Sequence, residues 1–433
     1  INFKKVMFYI VETNEQLNEL LNKGYNRVFI EPIYFNDNYH PSLNDISLLY
    51  LKPLNNDKGY LLCLHHTEVL SLNKAPISAL LAQYNEIYVR DRKSFVYYFP
   101  LTNLIDISFN SPECVEPSTS AHDFFYQKHE NLKNVNILIP TVKHYEKCEL
   151  IYNKVKEFCI KPDNVKFLNK LTSVFFSIEK NGLKTDKYIF DKHFEINNEA
   201  FFMHNNVVYT QYNLHTTTGR PSNSFNGVNF AALNKDNGSR KAFVPKNNCF
   251  VEIDISSYHP TLAAQLVKYD FANVTPYEYF AKEANIEVSE AKILMFKQLY
   301  GGIYKKYQHI PYFQLIEEHI NKLWENYTAN GYVECPISGH KFTTDLKDIN
   351  PQKLFNYTLQ NLETSTNVCI IWDIIKILKG KETQIVLYTY DSILLDYKQE
   401  ENILESIKQV FNKYKLKIKL TKGKNYGAMA LLH

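Results

Sequence analysis

With 433 residues the chain has room for two or three domains and a large buried core, so it needs no disulfide or metal staple for stability. Its formal charge of +3 is the small difference between 49 basic and 46 acidic residues, so no partner can be read from net charge and any basic groove must be local. The seven cysteines (Cys63, Cys114, Cys148, Cys159, Cys249, Cys335, Cys369) are scattered and never spaced C-x-x-C, which argues against a disulfide framework and a structural zinc site and for a reducing, intracellular compartment; no apolar run is long enough to span a membrane.

Up to about residue 110, short apolar runs ("RVFIEPIYF", "ISLLYL", "YLLCL") alternate with turn residues and with helix-like stretches ("ETNEQLNELLNKG", "APISALLAQY"), the pattern of a mixed α/β domain. The Pro- and Ser-rich "NSPECVEPSTSA" (110 to 121) reads as a linker and places a domain boundary at about residue 115. From 122 to 204 the pattern is mostly helical, with Gly182 a C-cap for "NVKFLNKLTSVFFSIEKNG". Beyond it strands are expected near 206 to 218, 248 to 254, 331 to 343, 384 to 398 and 415 to 420. Helices are expected near 257 to 269, 276 to 284, 288 to 308, 311 to 330, 351 to 378 and 400 to 413.

Chemistry concentrates in three of these segments. In "IVLYTYDSILLDY" an apolar run is broken by Asp391 and then resumes, as in a hairpin with an acid at its tip. In "CFVEIDISSYHPTLAAQL" a strand delivers Asp254 at its end. Two strand-end carboxylates meet only if their strands neighbour one another in a sheet, and such a pair suits two Mg²⁺ ions in phosphoryl transfer. Either Asp alone is more simply a turn residue. The third segment, "VSEAKILMFKQLYGG", puts Lys292, Phe296 and Tyr300 at i, i+4 and i+8 on one helix face, where an ammonium can neutralise phosphates and rings can stack on a base. A core helix with a snorkelling Lys is the bland alternative.

Taken together these segments resemble a family A DNA polymerase, the class of bacterial polymerase I and of several phage and organellar replicases. The helix matches that family's K-x7-Y-G pattern, and "HTTTGRPS" its T-G-R-x-S core. "RKAFVPKNNCFVEIDISS" is similar to the stretch that ends in the first catalytic Asp. "GYVECPISGHKF", "LFNYTLQNLETS" and "IKLTKGKNYGAM" follow in the family's order, so the resemblance runs over residues 175 to 433. It implies an α+β right-hand polymerase with palm, fingers (about 270 to 330) and a reduced thumb. The divisions would be 1–115, 116–215 and 216–433, the first an RNase H-like 3′-5′ exonuclease-type α/β domain.

The resemblance further implies a nucleotidyltransferase that extends a primer 3′-hydroxyl with dNTPs on primer-template DNA, with Asp254 and Asp391 holding two Mg²⁺. It places Lys292, Phe296, Tyr300 and His259 at the nucleotide and Arg220, Asn229, Asn356, Gln360 and Tyr390 at the DNA. The implied setting is the cytoplasm of a bacterial or phage-infected host, or an organelle matrix.

Several positions depart from the family. His259 stands where its sugar-blocking Glu belongs, and Val288 replaces an Arg of the triphosphate site, leaving Lys297, Lys305 and Lys306 as further candidates. "YDS" replaces H-D-E, so Ser392 removes an acid; single-subunit RNA polymerases carry H-D-S, which keeps an RNA-synthesising relative as an alternative, alongside an inactive polymerase-fold scaffold. "DISSYHP" also resembles a family B motif, but Thr389 stands where that family's last motif requires an Asp. Some forty residues between Gly182 and Arg220 allow only a stub of a thumb, which implies low processivity unless a processivity factor or other replisome protein supplies the grip. In the exonuclease-type domain only Glu31 remains of a D-x-E strand, with Phe29 in the Asp position and Asp91 and Asp106 as weak echoes, so that domain is expected to be degenerate.

Overall fold

The computed structural model describes residues 8–115, 135–195, 199–223 and 227–432. The expected linker at 110 to 121 lies partly outside them. Two compact units are present, one of the residues up to Phe176 with 199–205, the other of Ser177–Glu195 with Asn206 onward.

The first unit is built on six strands, β1 (Tyr9–Val11), β2 (Arg27–Tyr34), β3 (Ile46–Pro53), β4 (Tyr60–Cys63), β5 (Glu86–Val89) and β6 (Leu104–Asp106), in the order β1-β4-β3-β2-β5-β6. Strands β2, β3 and β4 form an antiparallel meander, while β5 and β6 run parallel to β2 and one another. Every residue of β3 is buried, as the apolar run Leu48–Leu51 at its centre requires of a strand covered on both faces. One face packs on helices α1 (Asn14–Leu21) and α2 (Lys74–Gln83) through Leu17, Leu20, Ile77 and Leu80. The other packs on α3 (Thr141–Val155), which buries Tyr145, Cys148, Ile151, Tyr152 and Val155 at three- and four-residue spacing.

The second unit centres on an antiparallel sheet of β7 (Cys249–Ile255), β8 (Gln384–Thr389), β9 (Ser392–Tyr397), β10 (Ile418–Gly423) and β11 (Met429–Leu431), in the order β8-β9-β7-β10-β11. Around it lie α4 (Tyr258–Leu266), α5 (Pro276–Ala284), α6 (Val288–Gly301), α7 (Pro311–Asn330), α8 (Pro351–Ile377) and α9 (Leu404–Lys413). Local signals set the bounds: Thr275 and Glu278 form a capping box ahead of α5, Pro311 opens α7, and Gly331 closes it at φ +77°. No described helix is long and apolar enough to cross a membrane.

Two expected elements change character. The strand expected over 206 to 218 shrinks to Val207–Val208, and the helix expected over 288 to 308 ends at Gly301. Gly302, at φ +97°, turns the chain there into a short 3-10 turn at Lys305–Tyr307. Between Gly182 and Arg220 the described residues hold no helix longer than Lys187–His193.

Candidate active site

Two strand ends bring the carboxylates together. Strand β7 pairs with β9 so that Asp254 lies opposite Ser392, and the Ile255 N–H donates to the Asp391 carbonyl at 2.8 Å. The β8–β9 connection is a two-residue turn, Tyr390 and Asp391, with Tyr390 held at φ +62°. A non-glycine residue in that region is uncommon and typical of places where the backbone aims a side chain. Burial and then the charge of Asp391 push the Asp254 carboxyl up to about 6, with Glu252 adding to the effect against Lys235 and Lys419. Burial likewise raises Asp391, with Glu363 adding to the rise and Arg220 and His259 opposing it.

The lost acid at Ser392 has a neighbour that the sequence pattern alone did not flag. The Ser392 hydroxyl donates to Glu252 Oε1 at 2.8 Å, and Glu252 shares a face of β7 with Asp254 by two-residue alternation. Asp254, Asp391 and Glu252 offer hard oxygen donors, the type Mg²⁺ prefers. Among the described residues no preformed cage of three or more His, Cys, Asp or Glu ligands exists.

Next to the carboxylates, α4 and α6 face each other through His259 and Tyr300. The His259 Nδ1 and the Tyr300 hydroxyl are hydrogen-bonded, and the rings cross at 89° with centroids 5.8 Å apart. Phe296 lies 5.8 Å from Tyr300, one turn earlier on α6, and 6.3 Å from Tyr277. Tyr277 is a second residue missed in the sequence: burial raises its phenol, and it lies near enough to Asp391 and Asp254 for their charges to add to the rise, with Ser257 opposing it. Lys292 occupies the same α6 face but is exposed, as are Lys297, Lys305 and Lys306.

The Thr-Gly-Arg turn docks on α8. Gly219 has φ +68° and a Cβ there would sit 2.4 Å from Asn361 Nδ2, so only glycine fits. Asn361 fixes the turn by donating to the Thr218 carbonyl at 2.9 Å. The Arg220 guanidinium then lies 3.8 Å over the Tyr390 ring and 3.0 Å from Glu363 Oε2, a charge contact off the N–H axis, with Nη2 to Oε1 at 3.3 Å. Asn367, also on α8, donates to the Tyr390 carbonyl at 2.7 Å and steadies the acidic turn. Gln360 Nε2 donates to Asn356 Oδ1 at 2.9 Å one turn away on the same helix. Asn229 is exposed at the start of the short turn Phe230–Ala232.

In the first unit, each acid of interest already has partners. Arg90 Nε donates to Glu31 Oε2 at 2.8 Å, and its Nη2 bonds Oε1. Asp91 caps the helix Arg92–Phe95 through the Ser94 N–H and hydroxyl at 2.9 and 2.6 Å. Asp106 accepts from the N–H groups of Arg92 and Ser108, and burial followed by the charge of Asp91 pushes it up to about 7.

No family model and no curated protein matches the sequence. Among solved structures the chain is similar to the POL domain of Pol1 from M. smegmatis in complex with DNA primer-template and dNTP, with a TM-score of 0.64 and 12% identity over 98% of this chain and 100% of that one. The chain therefore has the α+β fold of a Pol1-type polymerase domain.

Proposed function

We propose that the protein is a template-directed DNA polymerase that extends a primer 3′-hydroxyl with dNTPs. The observation that carries this reading is the approach of Asp254 on β7 to Asp391 in the adjacent β8–β9 turn, inside a fold shared with a polymerase domain seen with primer-template and dNTP. Asp254 and Asp391 would hold two Mg²⁺, with Glu252 beside them; bound Mg²⁺ lowers the pKa of the primer hydroxyl and neutralises charge on the phosphates. Lys292 binds the triphosphate, Phe296 and Tyr300 pack near the incoming nucleotide, and Arg220, Tyr390, Asn356, Gln360 and Asn229 face the DNA. Catalysis of this kind rests on positioning and charge neutralisation, so no general-base side chain is required. Extension of a labelled primer with dNTPs and Mg²⁺ tests the reading; no extension on a matched primer-template overturns it.

His259, pinned against Tyr300, closes the space where a ribose 2′-hydroxyl would sit. His259→Ala should raise rNTP incorporation relative to dNTP by about tenfold or more, the scale of one steric contact. An unchanged ratio in single-nucleotide kinetics would move the gate elsewhere. Extension by the unmodified chain with dNTPs and with rNTPs decides between this reading and the RNA-polymerase alternative, which Ser392 suggests and the bulk of His259 opposes.

Extension should also fall as pH drops through about 6, because Asp254 must be ionised to hold a cation and its folded pKa is raised to about 6. More Mg²⁺ should shift that midpoint down, since metal and proton compete for one carboxylate. A rate profile flat from pH 8 to 5 would contradict this.

The first unit is proposed to be an exonuclease-type domain without proofreading activity. Its order β4-β3-β2-β5-β6, with β2 central, supports an RNase H-like relationship. The closure of Glu31 by Arg90 supports loss of metal binding. The limited thumb supports low processivity in the absence of a partner factor.

A further inference from the structure

The buried carboxylate of Glu363 lies against two side chains, the Arg220 guanidinium and the His259 imidazole. Its residue is 1% exposed on α8, in a stretch where Asn361, Thr364, Ser365, Thr366 and Asn367 are also buried, so this turn of the helix is polar inside the protein. Glu363 Oε2 stands 3.1 Å from His259 Nε2 and 3.0 Å from Arg220 Nε. Both are close N···O contacts and not aligned hydrogen bonds. The Tyr258 hydroxyl, next to His259 in sequence, donates to Asn367 Oδ1 at 2.8 Å and lies 3.2 Å from the Glu363 carbonyl, which ties the start of α4 to the same turn.

We infer that Glu363 is a positioning residue for sugar selection: it holds the imidazole of His259 from the side opposite Tyr300. The inference rests on the polymerase reading above. Both ring nitrogens are engaged, Nδ1 by the Tyr300 hydroxyl and Nε2 by the Glu363 carboxylate. Rotation of the ring therefore breaks two contacts together, and it leaves a buried carboxylate with one polar neighbour fewer, which is costly away from water. A side chain that excludes one hydroxyl by its volume works only while it cannot swing aside. In a chain where the residue beside Tyr300 is a five-membered ring and not an acid, the fixing charge comes from another helix.

The test is a double-mutant cycle read as the ratio of kcat/KM for a dNTP to that for the matching rNTP, in single-nucleotide incorporation by the full chain. Glu363→Gln keeps the volume and removes the charge. It should lower the ratio about five- to tenfold, and combined with His259→Ala it should lower the ratio no further than His259→Ala alone, because the two act as one unit. A role only in holding Arg220 or the fold would reduce dNTP and rNTP use in parallel and leave the ratio unmoved, which overturns the inference; so do effects that multiply. If Glu363→Gln does not fold, judged by its thermal melt, Glu363→Asp keeps the charge but shortens its reach and should lower the ratio in the same direction. An unchanged ratio in Glu363→Asp then overturns the inference. The polymerase reading itself stands or falls on dNTP extension by the unmodified chain, so an active enzyme with an unmoved ratio sinks only the role of Glu363.

Discussion

Asp254→Asn and Asp391→Asn should each lower Mg²⁺-dependent primer extension by about a thousandfold or more while leaving primer-template binding within a few-fold of the unmodified protein. The loss follows if the two acids, Asp254 on β7 and Asp391 in the adjacent β8–β9 turn, hold the proposed metal site together. The same substitutions should stabilise the metal-free protein. Asp254 has a folded pKa raised to about 6 from an ordinary value near 3.8, so its favourable contribution is complete below the unfolded pKa and is lost as pH rises through about 6. At pH 7.5 without Mg²⁺ the ionised Asp254 is therefore a net cost to the fold. After allowance for its partial exposure to solvent, Asp254→Asn should raise the melting temperature by about 2 °C. Extension kinetics and a thermal melt in chelator check the two halves. Persistent extension in either variant would remove these residues from the catalytic centre, and a lower melting temperature for Asp254→Asn would contradict the electrostatic account.

Arg90→Ala should destabilise the first unit by about 3 kcal/mol. The Glu31 side chain is 9% exposed, and Arg90 both neutralises it and bonds each of its oxygens. Truncating Arg90 strands a buried carboxylate, whose desolvation is then uncompensated. The double variant Glu31→Gln with Arg90→Met removes both charges and should recover most of the loss. Denaturant unfolding of the three proteins checks this, and a loss under about 1 kcal/mol for Arg90→Ala would show the pair to be effectively solvated. The pairing also bears on function: a carboxylate clamped by its own guanidinium is a poor ligand for a catalytic cation.

Much of the second unit was legible in the sequence because its signals are local. Asp254 and Asp391 could be placed at strand ends from apolar runs, and the stripe of Lys292, Phe296 and Tyr300 from helical spacing. The bounds of α5 and α7 follow from Thr275, Pro276, Pro311 and Gly331. Tyr277 and Glu252 were missed for the opposite reason. Nothing beside them in the chain separates a site tyrosine from the aromatic core, or a site glutamate from an ordinary strand acid; their meaning arises from Ser257, Phe296 and Ser392, which approach only after folding. The expected strand over 206 to 218 failed likewise, since that segment directs its backbone groups to other elements, as the Tyr212 N–H does to Glu179 Oε1 at 2.6 Å.

By itself the sequence determined where charge interrupts an apolar strand, which helix face carries a cation with two rings, and where helices start and stop, because each depends on neighbours a few residues apart. The tertiary structure alone decided how the charges are shared: Arg90 closing Glu31, Ser392 reaching Glu252, and Glu363 divided between Arg220 and His259. The physical reason is that a buried charge is set by desolvation and by the partner that compensates it, and here those partners lie 59, 140, 143 and 104 positions away in the chain, the last from His259 to Glu363 (363 − 259 = 104).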